Sequence, residues 1–370
     1  MFISFSFSIS QVESETIYKS FKLLKGYPMQ DLFNLAQQYE FGHIHFKRCT
    51  KTGMQAIIAV HSTKLGPALG GCRFIEYSDT NQATIDALRL AQGMSYKAAM
   101  ANLPLGGGKS VIIRPKDAFS RNDYMHSFGE FVQSLGGQYI TALDSGTELS
   151  DMDIIAQQTP YVASHSEKHG DPSPHTVDGV IAGIRASVKF KLGKHKLSGL
   201  HMAIQGLGHV GYGVAKQLHQ EGVNLTITDI NSELTTRIAK ELQANIEETS
   251  RIHKTTCDVF VPCALGGILN VKTIPELNCK IIAGAANNQL IDPEAGLILH
   301  LENVLYVPDY VINAGGLIFA CARYFNQSDE EINAQIQQIY NRLIHIFELS
   351  AQENISTAIM VDKIAKEKIK

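Results

Sequence analysis

The segment Gly206-Leu-Gly-His-Val-Gly211 limits what this 370-residue chain can fold into more than any other feature. A strand-like run, His201-Met-Ala-Ile-Gln, precedes it; a helical run to Gln220 follows, and Leu225-Thr-Ile-Thr-Asp229 reads as the next strand. A glycine-rich turn in that setting is the phosphate-binding turn of a βαβ unit. Gly206 permits the tight turn, Gly208 lets a pyrophosphate approach the backbone, and Gly211 lets the helix lie on the strand. His209 and Val210 open the helix, whose N-terminal end favours phosphate charge. Asp229, eighteen positions past Gly211, is placed to accept both ribose hydroxyls and to repel a 2′-phosphate. The cofactor expected is therefore NAD rather than NADP. A glycine turn that binds nothing is the bland alternative, and the flanking strand, helix and aspartate weigh against it.

The rest of the chain supports an α/β protein. Met54-Gln-Ala-Ile-Ile-Ala-Val-His reads as a buried strand and Gly66-Pro-Ala-Leu-Gly-Gly as a turn after it. Ser78 and Asp79 cap a helix whose apolar face is Ala83, Ala87, Leu90, Ala91 and Met94, with Lys97 near its end. Asn102-Leu-Pro-Leu-Gly-Gly-Gly breaks that helix, and Val111-Ile-Ile resumes a strand, which puts Lys109 where loop enters strand. A helix is expected from Thr176 to about Arg185, then a Lys/Gly-rich stretch from Lys189 to Gly199. Strand-like runs at Asp258-Val-Phe-Val-Pro, Lys280-Ile-Ile-Ala and Val304-Leu-Tyr-Val-Pro continue a parallel sheet, and Glu331 to Lys370 reads as two amphipathic helices.

At 44% hydrophobic and 19% charged the composition suits a globular protein of roughly two domains. A net charge of -3 gives no electrostatic reason to expect nucleic acid or an anionic membrane as partner. No apolar run reaches the length of a membrane span. The first ten residues lack the positive start and small-residue cleavage site of a signal peptide. Six cysteines without a CxxC pattern read as reduced, mostly buried thiols in a cytoplasmic protein.

Two lysines twelve positions apart, Lys97 and Lys109, precede Asp144 in Ala-Leu-Asp-Ser-Gly-Thr. Brought together, one ammonium can hold a carboxylate while the other does acid/base work, because a second positive charge nearby disfavours protonation. Solvated surface charge is the competing reading; it is weakened because all three residues stand among Gly, Ala, Leu and Met. Gly107-Gly-Lys109-Ser110 is no P-loop, since Leu103 occupies the required glycine position and a strand, not a helix, follows. His165 and His169 lack the third ligand of a zinc site, so no metal is expected, and Asp151 and Asp153 read as helix-start charges.

From about Met29 onward the chain resembles the glutamate/leucine/phenylalanine/valine dehydrogenases. The resemblance runs in order through Leu65-Gly-Pro-Ala-Leu-Gly-Gly-Cys-Arg73, Gly93-Met-Ser-Tyr-Lys97, Leu105-Gly-Gly-Gly-Lys109, Asp171-Pro-Ser-Pro-His-Thr176, the fingerprint, Val261-Pro-Cys-Ala-Leu-Gly266, Ala283-Gly-Ala-Ala-Asn-Asn-Gln289 and Tyr310-Val-Ile-Asn-Ala-Gly-Gly316. It implies an α/β substrate domain and a Rossmann-type NAD-binding domain separated by a deep cleft. The expected boundaries are an extension over residues 1–28, a substrate and dimerisation domain over 29–165, an NAD domain over 166–318, and C-terminal helices over 319–370 that complete the substrate domain. By the same resemblance Lys97 binds the substrate α-carboxylate, Lys109 activates water, and Asp144 exchanges protons with the amino group. Thr176 and Asn287 join the fingerprint on the nicotinamide side.

The side-chain pocket implied is Leu69, Met94, Gly106, Ala142, Leu317 and Ala320. Glutamate-specific relatives carry a lysine at the position of Leu69. Ala142 matches the leucine enzymes, whereas Leu317 is what phenylalanine enzymes tend to carry. Leu143 and Ser145 flank Asp144 where the leucine enzymes usually have Glu and Val. The expected activity is reversible, NAD-dependent deamination of an apolar L-amino acid, leucine or another branched-chain substrate first, by a homo-oligomer. A phenylalanine- or valine-preferring enzyme, or a non-catalytic NAD-binding sensor of the same fold, are the alternatives.

Overall fold

A computed structural model describes residues 32–164 and 170–370. The expected extension over 1–28, the boundary at Met29 and the His165/His169 pair lie outside the described residues. Two sheets organise the rest. The first contains β1 (His43–Arg48), β2 (Gln55–Ser62), β3 (Ala68–Ile75), β4 (Gly106–Ile113) and β5 (Tyr139–Leu143), in the order β1-β2-β4-β3-β5. β2 runs antiparallel to β1 and β4, while β3 is parallel to β4 and β5.

The second sheet contains β6 (His201–Gln205), β7 (Asn224–Thr228), β8 (Asn245–Ile246), β9 (Val259–Pro262), β10 (Ile281–Ile282) and β11 (Leu305–Tyr306), all parallel, in the order β11-β10-β9-β6-β7-β8. The chain moves outward from β6 through β7 and β8, then restarts at β9 on the other side. That reversal opens a crevice beyond the carboxyl ends of β6 and β9, where doubly wound sheets bind ligands. The glycine fingerprint follows β6 directly.

The helix Thr80–Met100 begins where Asp79 accepts a hydrogen bond from the Gln82 N–H at 2.9 Å. Its buried stripe of Ala83, Ala87, Leu88 and Ala91 packs on Ile57, Ala59 and Val111 of the first sheet, and the small alanines let helix and sheet approach closely. At the far end of the chain, the helices Gly315–Tyr324, Asp329–Glu353 and Thr357–Ile369 follow one another. The last packs against Thr80–Met100. There the Lys368 ammonium donates to the Ala99 carbonyl at 3.3 Å and to the Asn102 side chain.

Several local expectations change. The turn expected at Gly66–Gly71 is β3 from Ala68 onward, and the loop expected up to Gly108 is β4 from Gly106, so Lys109 stands inside a strand. The physical reason is crowding. A Cβ on Gly70 would lie 1.8 Å from the Gly108 carbonyl oxygen, and one on Gly107 would lie 2.0 Å from the Ser95 nitrogen. These glycines mark close approach of backbones, not a bend. The helix expected to end near Arg185 runs over Ser173–Leu192, stopping at left-handed Gly193 (φ 67°). Asp151 caps the helix Leu149–Ala156 as expected, yet it is also buried and bound by Arg121 at 2.6 and 2.7 Å. All six cysteines are free thiols, but only Cys72 and Cys321 are fully buried.

Candidate active site

β4, β3 and β5 stand side by side, so Lys109, Arg73 and Asp144 converge although the chain separates them. The Lys109 ammonium is in direct contact with Asp144 Oδ2, and Lys109 is only 6% exposed. A buried ammonium of this kind needs such a partner. Arg73 Nε lies 3.6 Å from the same carboxylate oxygen. Thr147 fixes the backbone of Asp144: its hydroxyl accepts from the Asp144 N–H at 3.0 Å and donates to the Asp144 carbonyl at 2.7 Å. Burial opposes ionisation of Asp144, but Lys109 and Arg73, with the Ser145 N–H, hold its pKa below the usual carboxylate range. Leu143 points largely to solvent at 42% exposure.

Lys97 sits in the last turn of Thr80–Met100, which Gly107 allows to press on β4. Burial brings its pKa down to about 8; the Asp309 carboxylate opposes that shift and the Lys109 ammonium adds to it. The lysine remains half-buried by accessible surface. Asp309 accepts N–H bonds from Gln289 at 3.1 Å and Tyr310 at 2.7 Å, and burial pushes its pKa up. The Lys109 ammonium thus meets the Asp144 carboxylate beside the middle of β4, with Lys97 and the Asp309 carboxylate that acts on it nearby. Such a set can bind a carboxylate and move protons at the adjoining atom.

Leu69, Ala142 and Leu317 are buried members of the large apolar core that runs through both sheets, and Met94 packs against that core, while Ala320 is half-exposed on the same helix as Leu317. Gly106 is taken up by packing, since a Cβ there would lie 1.8 Å from the Ser62 carbonyl oxygen. A Cβ on Gly315 would meet the His175 carbonyl at 1.9 Å and one on Gly316 the Thr176 hydroxyl at 2.8 Å. That contact joins the helix carrying Leu317 to the start of Ser173–Leu192, and so places Thr176 next to the pocket.

The second sheet supplies a cradle for a dinucleotide. Gly206 has φ 91°, a left-handed conformation that suits glycine. A Cβ on Gly208 would meet nothing within 4 Å, whereas one on Gly211 would strike the Gly206 carbonyl at 2.0 Å. The second glycine therefore faces open space and the third faces protein, as a phosphate-binding turn requires. His209 and Val210 begin the helix His209–Gln220. Asp229, at the end of β7, accepts from the Leu207 N–H at 2.7 Å and the Asn231 N–H at 2.9 Å, which fixes its carboxylate beside the turn. Across the crevice Asn287 is exposed, and its side-chain oxygen accepts from Asn313 at 2.8 Å. The residues present fit a dinucleotide.

Arg73, Asp86, Asp309 and Asn313 escaped the sequence reading. Arg73 and Asn313 stand inside the quoted motifs and Asp309 one residue before one, so position was the available signal. Nothing in the sequence pointed to Asp86, an interior helix aspartate.

Comparison with known proteins identifies the family. A family model described as Glu/Leu/Phe/Val dehydrogenase, dimerisation domain, matches residues 40–161. A second, described as Glutamate/Leucine/Phenylalanine/Valine dehydrogenase, matches residues 226–367. Leucine dehydrogenase of Geobacillus stearothermophilus is 44% identical over 92% of this chain and 93% of that protein. Phenylalanine dehydrogenase of Bacillus thermotolerans is 38% identical over 92% of each. The crystal structure of L-tryptophan dehydrogenase from Nostoc punctiforme superposes with a TM-score of 0.83, at 38% identity, covering 91% of this chain and 98% of that one.

Proposed function

Since the chain belongs to the Glu/Leu/Phe/Val dehydrogenase family and is an amino acid dehydrogenase, we propose that it deaminates an apolar L-amino acid with NAD, reversibly, as a cytoplasmic homo-oligomer. The observation that carries the reading is the Lys109–Asp144 contact, with Lys97 close enough to Lys109 for their charges to interact. The match to a dimerisation domain supports the oligomer. The helix Thr357–Ile369 packs back on the first half of the chain, which supports the proposal that residues 319–370 complete the substrate domain.

In this mechanism Lys97 anchors the substrate α-carboxylate. Asp144, held ionised, takes a proton from the substrate ammonium. Gly206, Gly208, His209, Val210 and Gly211 would hold the pyrophosphate of NAD, with Asn287 and Thr176 towards the nicotinamide, and the bound cofactor would supply the acceptor for the hydride that leaves Cα. Lys109 then helps water add to the imino carbon, and ammonia leaves with a proton returned through Asp144. Exclusion of water from the closed crevice strengthens both lysine contacts.

A substrate panel at alkaline pH tests the pocket. Leucine, isoleucine and valine should exceed phenylalanine in kcat/KM, and glutamate should give no turnover, because burying its γ-carboxylate against Leu69 costs several kcal/mol. The choice among apolar substrates is finer, since a methylene in such a pocket is worth only about 1–3 kcal/mol. Leu317 and the nearby phenylalanine and tryptophan dehydrogenases make a larger substrate the specific alternative. A phenylalanine kcat/KM above every branched-chain value would select it.

Asp229 gives a cofactor prediction. NAD should be strongly preferred to NADP, and Asp229→Ala should narrow the ratio of the two kcat/KM values by removing the repulsion of a 2′-phosphate. Equal use of both cofactors by the parent enzyme would remove the basis for this assignment.

A further inference from the structure

Behind Asp144 stands a second layer of charge. Arg73 projects from β3 and donates through Nη1 to Asp86 Oδ2 at 2.7 Å, an oxygen that also accepts the Tyr77 hydroxyl at 2.7 Å. Its Nε is buried and has no hydrogen-bond partner, yet it stands 3.6 Å from Asp144 Oδ2. The guanidinium is thus tied at one end, and its unpaired Nε stands at ion-pair distance from the carboxylate. The other groups facing Asp144 are Lys109 on β4, Cys72 on β3 and Tyr139 on β5, with Lys97 beyond Lys109. Burial pushes the Cys72 thiol up to about 12 and raises Tyr139, so both stay neutral. Among the described residues, only Lys109 and Arg73 offer positive charge at contact or ion-pair distance.

To activate water Lys109 must be neutral, and in that state Asp144 loses the positive charge of its nearest cation. We propose that Arg73 is a positioning residue that keeps Asp144 ionised and aimed while Lys109 turns to the substrate, and that Asp86 sets how much of the Arg73 charge Asp144 receives. This rests on Asp144 being the proton carrier of the reaction proposed above. An opposite charge at this range lowers a carboxyl pKa by about one to three units, so loss of Arg73 raises it. Loss of Asp86 acts the other way, because the guanidinium is then no longer shared.

The test uses the full-length protein. The carboxyl band of Asp144, identified by its loss in Asp144→Asn, is titrated by difference infrared spectroscopy, and kcat/KM is measured against pH on the acid side. Arg73→Gln should move both midpoints up by about one unit or more, with kcat/KM below the limb falling roughly tenfold or more. Arg73→Lys should restore most of the shift, and Asp86→Asn should move the midpoints down. A folded Arg73→Gln protein with an unmoved band, or an Asp86→Asn shift in the same direction as Arg73→Gln, overturns the proposal. If the parent gives no amino-acid-dependent NAD reduction, the proposed reaction fails, and the infrared band alone decides whether Arg73 governs Asp144.

Discussion

Lys109→Ala should lower kcat at least a hundredfold while leaving NAD affinity nearly unchanged. The lysine is buried in β4 against Asp144, and the phosphate-binding turn belongs to the other sheet, so the two properties separate. Loss of a general acid/base costs on the order of 10² or more in rate. Here the loss is compounded, because Asp144 is also deprived of its nearest cation. Steady-state rates with the preferred amino acid, set beside a fluorescence titration with NADH, check the prediction. Retention of more than about a tenth of kcat would remove Lys109 from the chemistry.

An equally large effect is expected from a residue without a side chain. In Gly107→Ala the new Cβ would lie 2.0 Å from the Ser95 nitrogen and 2.4 Å from its Cα, both backbone atoms of the helix that carries Lys97. Neither can rotate away. Helix and strand must separate, and overpacking of this kind costs about 3 kcal/mol or more. The separation also moves Lys97 away from Lys109, so activity should fall further than stability. A thermal unfolding curve and kcat/KM on the folded fraction check both parts; a melting temperature and a rate close to the parent's would mean that the contact is not fixed.

The fingerprint, the capped helix and the parallel strands were legible because their signals are local: a turn between a strand and a helix, an aspartate before an apolar face. Lys97, Lys109 and Asp144 were legible as a set, since ordered motifs carried them. The glycines at 70 and 107 were misread as loop, because what demands glycine there is a backbone distant in sequence. Arg73 was missed for the same reason: its two carboxylates, Asp86 and Asp144, become its neighbours only when β3, β5 and the helix Thr80–Met100 have assembled.

The return of the helix Thr357–Ile369 to the helix Thr80–Met100 has a consequence for biosynthesis. The carbonyl at Ala99, two residues past Lys97, meets Lys368. Both sheets can form while the chain is still emerging, since domains fold in the order they are made. The surroundings of Lys97 cannot. The end of the crevice proposed to anchor the substrate stays unfinished until the second sheet has been synthesised and the helix Thr357–Ile369 has come back to the helix Thr80–Met100, so in this reading a nascent chain completes the dinucleotide cradle well before the amino acid site.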